Sequence, residues 1–264
     1  ILFWAVFKLN GSALTTWADR YTDREITGTT QTVFNGLKLA KEVEYKKDTV
    51  ELYDASFRIQ KVDGEVQKTV DYPVYFRNVA KDKLPEEGSK VSLWATNLSQ
   101  SINPGWVIIL TPLVVAFFTF LRSRKKEPST PTKIAFGLLI SALSVLVMIA
   151  AVNMGANGTE KVSVWWLVAN YGVITIGELF LSPMGLSVVS KLSPTNITSL
   201  MMGGWFLSTS IGNKLSGVLA SLWDTYDNKQ DFFWINFGLL MFATMLMFIL
   251  LKQLNKVMQE KGIH

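Results

Sequence analysis

An ionisable side chain inside an apolar helix costs roughly 2.5–3.5 kcal/mol on membrane-insertion scales, so each one calls for a chemical reason. Three stand in such runs: Lys8, Glu178 and Lys214. Glu178 lies in VWWLVANYGVITIGELFLSPMG, with Tyr171, Thr175, Ser182 and Gly185 at offsets of −7, −3, +4 and +7. On a helix those offsets share one face. A carboxylate on a polar stripe, beside Gly177 and one turn before Ser182 and Pro183, fits a cavity wall that holds either a substrate amine or a transported proton. It also fits a structural pairing with a neighbouring helix.

Lys8 shares a helical face with Trp4, Gly11 and Ser12, roughly 10 Å along the helix from Ile1 at ~1.5 Å per residue. That depth leaves little room to snorkel to an interface. Lys8 and Lys214 face a single intramembrane acid in this chain, which predicts at least one partner carboxylate in a further half of the protein that this sequence does not include. Lys214 reads as a structural salt bridge among tightly packed helices, because Ser208, Gly212 and Ser216 recur every four residues and let backbones approach. Trp205, beside Gly203 and Gly204, fits either an interfacial anchor or the wall of a side-chain pocket. At Asn103-Pro104 the proline frees a backbone carbonyl, and an unwound turn at membrane depth is tolerated where it lines a cavity. Asn103 then offers a donor and an acceptor to a peptide bond; the alternative is a plain helix cap.

These residues are carried by apolar segments. The chain has 264 residues, 49% of them hydrophobic and 18% charged, with no cysteine and one histidine, His264. That excludes a zinc site built on His or Cys, a Ser-His-Asp triad and a disulfide-stapled module. No nucleophile stands at useful spacing from a base, so an enzyme is not expected, nor is a cofactor or a metal. Apolar runs cover 1–17, 104–121, 134–152, 164–181, 200–223 and 232–251. Each approaches the roughly 20 residues that cross a ~30 Å hydrocarbon layer, which predicts six membrane-spanning helices.

Basic residues are unevenly shared between the connections. Arg122, Arg124, Lys125, Lys126, Lys133, Lys191, Lys252, Lys256 and Lys261 fall on one side, whereas the two short loops opposite hold only Lys161 and Lys229 against Glu160, Asp224, Asp227 and Asp231. The positive-inside rule places the first group and the C-terminus in the cytoplasm. The net charge of +5 is thus an orientation signal, with no basic stripe left for nucleic acid.

Residues 19–101 hold 13 of the 26 basic and 14 of the 21 acidic residues, and face outside by the same topology. Short β-like runs at 50–60 and 65–78 flank Asp63-Gly64, a hairpin signal; Asn35-Gly36 is a second such dipeptide, although 37–45 suits a helix equally. The linker RSRKKEPSTPTK, residues 122–133, reads as a short exposed loop rather than a helix. The chain opens at Ile1 inside an apolar run without a basic flank, which reads as a fragment and not as a signal peptide.

Several segments together resemble the proton-dependent oligopeptide transporter (POT) family of the major facilitator superfamily. They are Phe3-Trp4-Ala5-Val6-Phe7, Ser101-Ile102-Asn103-Pro104, KEPSTP at 126–131, Gly177-Glu178-Leu179 through Ser182-Pro183-Met184-Gly185-Leu186-Ser187, and MGGWFLS at 202–208. Their order resembles helices seven to twelve, the C-terminal half. The resemblance implies an all-α membrane protein, a six-transmembrane-helix half of a major facilitator fold, divided into a first helix at 1–18, a small, mostly β extracytoplasmic insertion at 19–96, and five further helices with a cytoplasmic tail at 97–264.

The resemblance further implies proton-coupled symport of di- and tripeptides by alternating access, in the bacterial cytoplasmic membrane, with protons, the lipid bilayer and an N-terminal six-helix half as partners. Glu178 would hold the peptide amino terminus, Asn103 would contact peptide backbone, and Trp4 and Trp205 would line the pocket. The family usually has a glutamate followed by glutamine where this chain has Lys8-Leu9, so either Lys8 reverses the polarity of the family's pair or the coupling lies elsewhere; Glu178 and Lys8 are the proton-coupling or gating candidates, and the family glutamate's proton role is not carried onto Lys8. Two other functions compete: a carrier of nitrate or an amino-acid conjugate, favoured by the added cation at Lys8, and a non-transporting membrane sensor whose insertion binds peptide.

Overall fold

Two helices meet at backbone distance: α5 (Thr130–Met154) and α6 (Trp165–Leu192). The reason is a run of small residues. At Gly177 of α6 a side chain would set its Cβ 2.7 Å from the Gly137 carbonyl oxygen and against the Ser141 hydroxyl of α5, so glycine is what fits. Ser141 and Ser144, both fully buried, donate back to the carbonyls of Gly137 and Ser141, so their own hydroxyls are satisfied at the seam. α8 (Lys229–Glu260) covers another side of α5, with Leu240 and Thr244 buried.

The computed structural model describes residues 1–194 and 196–260. Lys261, His264 and the side chain of Lys191, which figure in the sequence reading, lie outside the described residues. The first apolar run, expected as one helix ending at residue 18, is divided. α1 (Leu2–Phe7) passes into a 3₁₀ turn, Lys8–Gly11, and the helix resumes as α2 (Ala13–Arg20), with Ser12 between them at φ −135° and ψ −93°. Gly11 and Ser12 are weak helix formers, and the break falls on them.

Between α2 and the next long helix come α3 (Gly28–Gly36), β1 (Ala40–Glu44), β2 (Asp48–Glu51), β3 (Lys61–Val62), β4 (Glu65–Val66), β5 (Lys68–Asp71) and β6 (Lys90–Trp94). They form three antiparallel two-stranded sheets: β1 with β6 (Ala40 opposite Trp94), β2 with β5 (Asp48 opposite Asp71), and β3 with β4 (Lys61 opposite Val66). Asp63 and Gly64, at φ 52° and 85°, make the turn between β3 and β4. Asn35-Gly36 closes α3 instead of a hairpin, and the undecided stretch 37–45 becomes β1. With α3 and 3₁₀ turns at Val74–Asn78 and Lys81–Lys83 among strands of two to five residues, the insertion is mixed rather than mostly β.

α4 (Ser99–Ser123) runs unbroken through Pro104 and Pro112, so Asn103 is neither a cap nor part of an unwound turn. α5 begins inside the segment read as a loop: Ser129 caps it by accepting from the Thr132 N–H, with Pro131 in the first turn. Both prolines of the linker therefore mark a helix start as much as a loop. α7 (Thr198–Ser221) completes the set. Among the described residues, four helical segments are long and apolar enough to cross a membrane: Thr96–Ser123, Thr130–Met154, Trp165–Ser190 and Lys229–Glu260. The other two of the six expected spans fall short for different reasons, the break after α1 in one and the glycines, serines, Asn213 and Lys214 of α7 in the other.

The insertion is fastened to the same end of three helix connections. Asn78 Nδ2 donates to the carbonyls of Arg20 (3.0 Å) and Gly158 (3.1 Å). Arg58 binds Asp227 Oδ1 at 2.6 Å and the Asp224 carbonyl at 2.9 Å, beyond α7. Residues 21–23 and 162 exchange backbone bonds, Val162 N–H to Tyr21 and Asp23 N–H to Val162. Lys229, read as a loop charge, is buried and donates to the carbonyls of Trp223 and Tyr226 at 2.7 Å each.

Lys161 lies under the Val74–Asn78 turn, 4.0 Å from the centre of the Tyr75 ring, and donates to the Arg20 carbonyl. Burial, with Arg24 adding to it against Asp23 and Asp19, brings its ammonium down to about 7. An unfolded lysine titrates near ~10.4. The cost of burying the charge is therefore full below pH 7 and is relieved as pH rises from there toward the unfolded value. Backbone amides of Phe76 and Val79 should accordingly be better protected from hydrogen exchange at pH 9 than at pH 6, after correction for intrinsic rates, and Lys161→Met should flatten the difference; equal protection at both pH values in the unsubstituted chain would refute it.

Candidate functional site

α6 presents Glu178 opposite its seam with α5. Gly177 faces Gly137 and Ser141, and the next side chain is turned by about 100° toward α4. Glu178 is half-buried, and Asn103 Nδ2 of α4 lies 3.4 Å from its Oε2. The same Nδ2 donates to Thr175 Oγ1 at 2.9 Å, and the Thr175 hydroxyl donates to the Tyr171 carbonyl at 2.6 Å. On the same helix Trp106 donates Nε1 to the Val168 carbonyl at 2.9 Å, and its indole lies against Gly172. Near the other end Phe118 packs on Phe180, ring centres 4.8 Å apart. α4 is thus joined to α6 by hydrogen bonds and one aromatic contact, while Ile108, Leu113 and Phe120 of α4 are exposed.

The polar stripe expected around Glu178 is not open along its length. Tyr171 and Thr175 are fully buried, so they support the site from behind rather than line it. Gly185 is covered by Trp205 of α7, where a Cβ would stand 2.7 Å from Cζ2 of the indole. That position turns Trp205 inward onto α6, away from the role of interfacial anchor. Trp4 of α1 meets Gly212 of α7, where a Cβ would lie 2.6 Å from that of Trp4 and 2.8 Å from the Ile1 carbonyl oxygen. Gly212 therefore sets the α1–α7 approach, as the spacing with Ser208 and Ser216 predicted.

Lys8 is exposed at the end of α1, 5.9 Å from the ring centres of Trp4 and Phe7, near the outer limit of a cation–π contact. Its charge reaches Glu178, and no ion pair joins the two among the described residues. Lys214 is exposed on α7 and forms no ion pair among the described residues, in contrast to the salt bridge expected of it. Asn103 and Glu178 are brought into contact and Lys8 into electrostatic range; Trp205 and Trp4 are seated on α6 and α7, each against a glycine. Among the described residues no group of acids and histidine is placed to hold a metal ion.

Reasoning from sequence missed a second polar centre, at the opposite end of the helices from the insertion. Glu127 binds Arg122 at 2.6 Å and also Lys133, which is buried and lies 4.4 Å from the centre of the Phe118 ring. The hydrogen bond from Arg122, joined by Lys133 against the effect of burial, holds the Glu127 carboxyl at about 2. A cavity of about 1100 Å³ opens there, walled by Lys125, Ser129, Ser187, Asn255 and this trio, and it includes none of the predicted site residues. An acid six residues before a lysine, in a linker read for its prolines, was the available signal.

A model of the POT family matches residues 95–235. The chain belongs to the POT family. The match begins at the last residues of the insertion and takes in α4 to α7. Dipeptide and tripeptide permease A of Proteus mirabilis (strain HI4320) is 36% identical over 132 residues, 50% of this chain and 26% of that permease. The matched part is about a quarter of the permease's length. Among solved structures, a peptide transporter POT in complex with sulfate superposes with a TM-score of 0.62 at 22% identity, covering 97% of this chain and 38% of the other. A POT family transporter in complex with 5-aminolevulinic acid gives 0.61 at 19% identity, covering 96% and 39%. The fold is shared with these transporters, and the apolar helices of this POT chain make it part of an integral membrane protein.

The Gly185–Trp205 contact leaves no room for a methyl group, so Gly185→Ala should push the indole off α6. Overpacking of this kind costs typically ~1–3 kcal/mol, and should lower the thermal unfolding midpoint in detergent. Gly203→Ala is the control: no atom lies within 4 Å of a Cβ there, so its midpoint should be unchanged or slightly raised.

Proposed function

We propose that the protein containing this chain is a proton-coupled symporter of di- and tripeptides, working by alternating access, with the chain supplying the C-terminal six-helix half and resting in a bacterial cytoplasmic membrane. The observation that carries the reading is the Asn103–Glu178 contact, an amide and a carboxylate from two helices placed between membrane-spanning segments. A carboxylate there accepts either an ammonium or a proton, the two cations that a symporter of this kind must carry. The permease of Proteus mirabilis, named for dipeptides and tripeptides, and the POT transporter bound to 5-aminolevulinic acid, an amino acid, support an amine-bearing solute.

Each proposed site residue has a part. Glu178 holds the amino terminus or the proton, and Asn103 meets the peptide backbone. Trp205 and Trp4 shape the side-chain space from α7 and α1. Lys8, within electrostatic reach of Glu178, serves the coupling. The charge pattern sets the insertion outside and the Glu127 centre and C-terminus inside.

Glu178→Gln keeps the shape and removes the charge. In proteoliposomes holding the full-length protein, this variant should insert normally and lose dipeptide uptake by at least about tenfold, on the scale of a lost charged contact; uptake at the unsubstituted rate would remove the role from Glu178. Lys8, an exposed cation beside the site, favours a second reading in which the solute is an anion such as nitrate. Competition of labelled dipeptide uptake by nitrate, against competition by unlabelled dipeptide, separates the two.

A further inference from the structure

Resting on the reading of Asn103 and Glu178 as the solute site, we propose that Thr175 is a positioning residue that fixes which end of the Asn103 amide faces the solute, and so makes the site select for hydrogen-bond donors. The argument is one of donors and acceptors. Thr175 has a single hydroxyl proton, and it is directed at the Tyr171 carbonyl 2.6 Å away. What remains to Thr175 is acceptor capacity. It lies 2.9 Å from the Asn103 amide, so the group opposite must be the NH₂. The second neighbour on that side, Glu178 Oε2 at 3.4 Å, is also an acceptor when ionised. Turning the amide over would set its oxygen against both.

Thr175 is fully buried, so its hydroxyl has no water to turn to. Of the two χ1 rotamers that threonine adopts on a helix, the one present is held by the bond to the Tyr171 carbonyl. Asn103 therefore keeps its NH₂ against α6 and presents Oδ1 on its free side. The carboxylate of Glu178 adds acceptors, and together the two offer acceptors to whatever binds. A solute bearing an ammonium or peptide N–H groups fits that arrangement, whereas an acceptor-only anion finds no donor from Asn103. Thr175 touches no solute in this account; it acts through Asn103.

Two substitutions separate this role from simple packing. Thr175→Val keeps the shape and removes the acceptor, while Thr175→Ser keeps the hydroxyl. In proteoliposomes of the full-length protein, Thr175→Val should raise the KM for a dipeptide by about fivefold with Vmax within about twofold, and narrow the preference for a free-amine dipeptide over its N-acetylated form. Thr175→Ser should restore both. An unchanged KM and preference in a well-inserted Thr175→Val protein, or a fall confined to Vmax and expression, overturns the proposal.

A readout that does not depend on transport is the Asn103 side-chain NH₂ signal in solid-state NMR of the protein in bilayers, assigned by its loss in Asn103→Ala. It should shift and lose exchange protection in Thr175→Val and hold in Thr175→Ser. A signal unmoved by Thr175→Val overturns the positioning role even where peptide uptake is normal. An unsubstituted protein that moves no dipeptide overturns the proposed function instead, and the NH₂ signal then decides the role of Thr175 by itself.

Discussion

The close approach of α5 and α6 at Gly137, Ser141 and Gly177 is the constraint from which the rest of the helical body follows. At Gly137 and Gly177 neither helix carries a side chain, and the Ser141 hydroxyl fills the gap at Gly177, so the helices are locked in azimuth as well as in distance. That lock determines where Glu178 points, since it follows Gly177 on the helix. Lipid supplies no hydrophobic drive between helices, so contacts of this kind rest on close packing and on satisfied hydroxyls, both of which the Ser141 and Ser144 back-bonds provide.

α4 shows the opposite mode of attachment. It buries little apolar surface within the chain, and what holds it is a set of hydrogen bonds directed at α6: Asn103 to Thr175 and Glu178, Trp106 to the Val168 carbonyl. In a low-dielectric setting such bonds have few competitors, which makes a sparse set sufficient. The site therefore sits at the junction between a rigidly packed pair and a helix attached at discrete points. A binding event that touches Asn103 acts on the attachment itself.

Much of the helical layout was legible because length and apolarity survive without any knowledge of neighbours. α5, α6 and α8 lie on the runs that predicted them, and Asn103 and Glu178 meet as a shared site requires. What failed did so where local grammar was overruled by context. The break at Lys8–Gly11 hid in a run whose average is apolar, and Asn35-Gly36 ended a helix rather than a hairpin. Tyr171 and Thr175 occupied the predicted face but are fully buried there, Thr175 against Asn103 of α4, which no single-helix pattern can reveal. Lys161, Lys229 and Lys133 were counted as loop charges, whereas Lys161 is drawn to the distant Arg20 carbonyl, Lys229 to carbonyls three and six residues before it, and Lys133 to the Glu127 carboxylate.

The divided first helix has a mechanical meaning. Its beginning, α1, is pressed against α7 where Gly212 admits Trp4, and its end, α2, is tied by Arg20 and residues 21–23 to the insertion and to the connection between α5 and α6. A rod anchored at both extremities yields at its weakest section. Here that section is the turn Lys8–Gly11, where Lys8 stands, so flexure of the rod would swing its cation relative to the carboxylate of α6 and turn bending into a change of local potential.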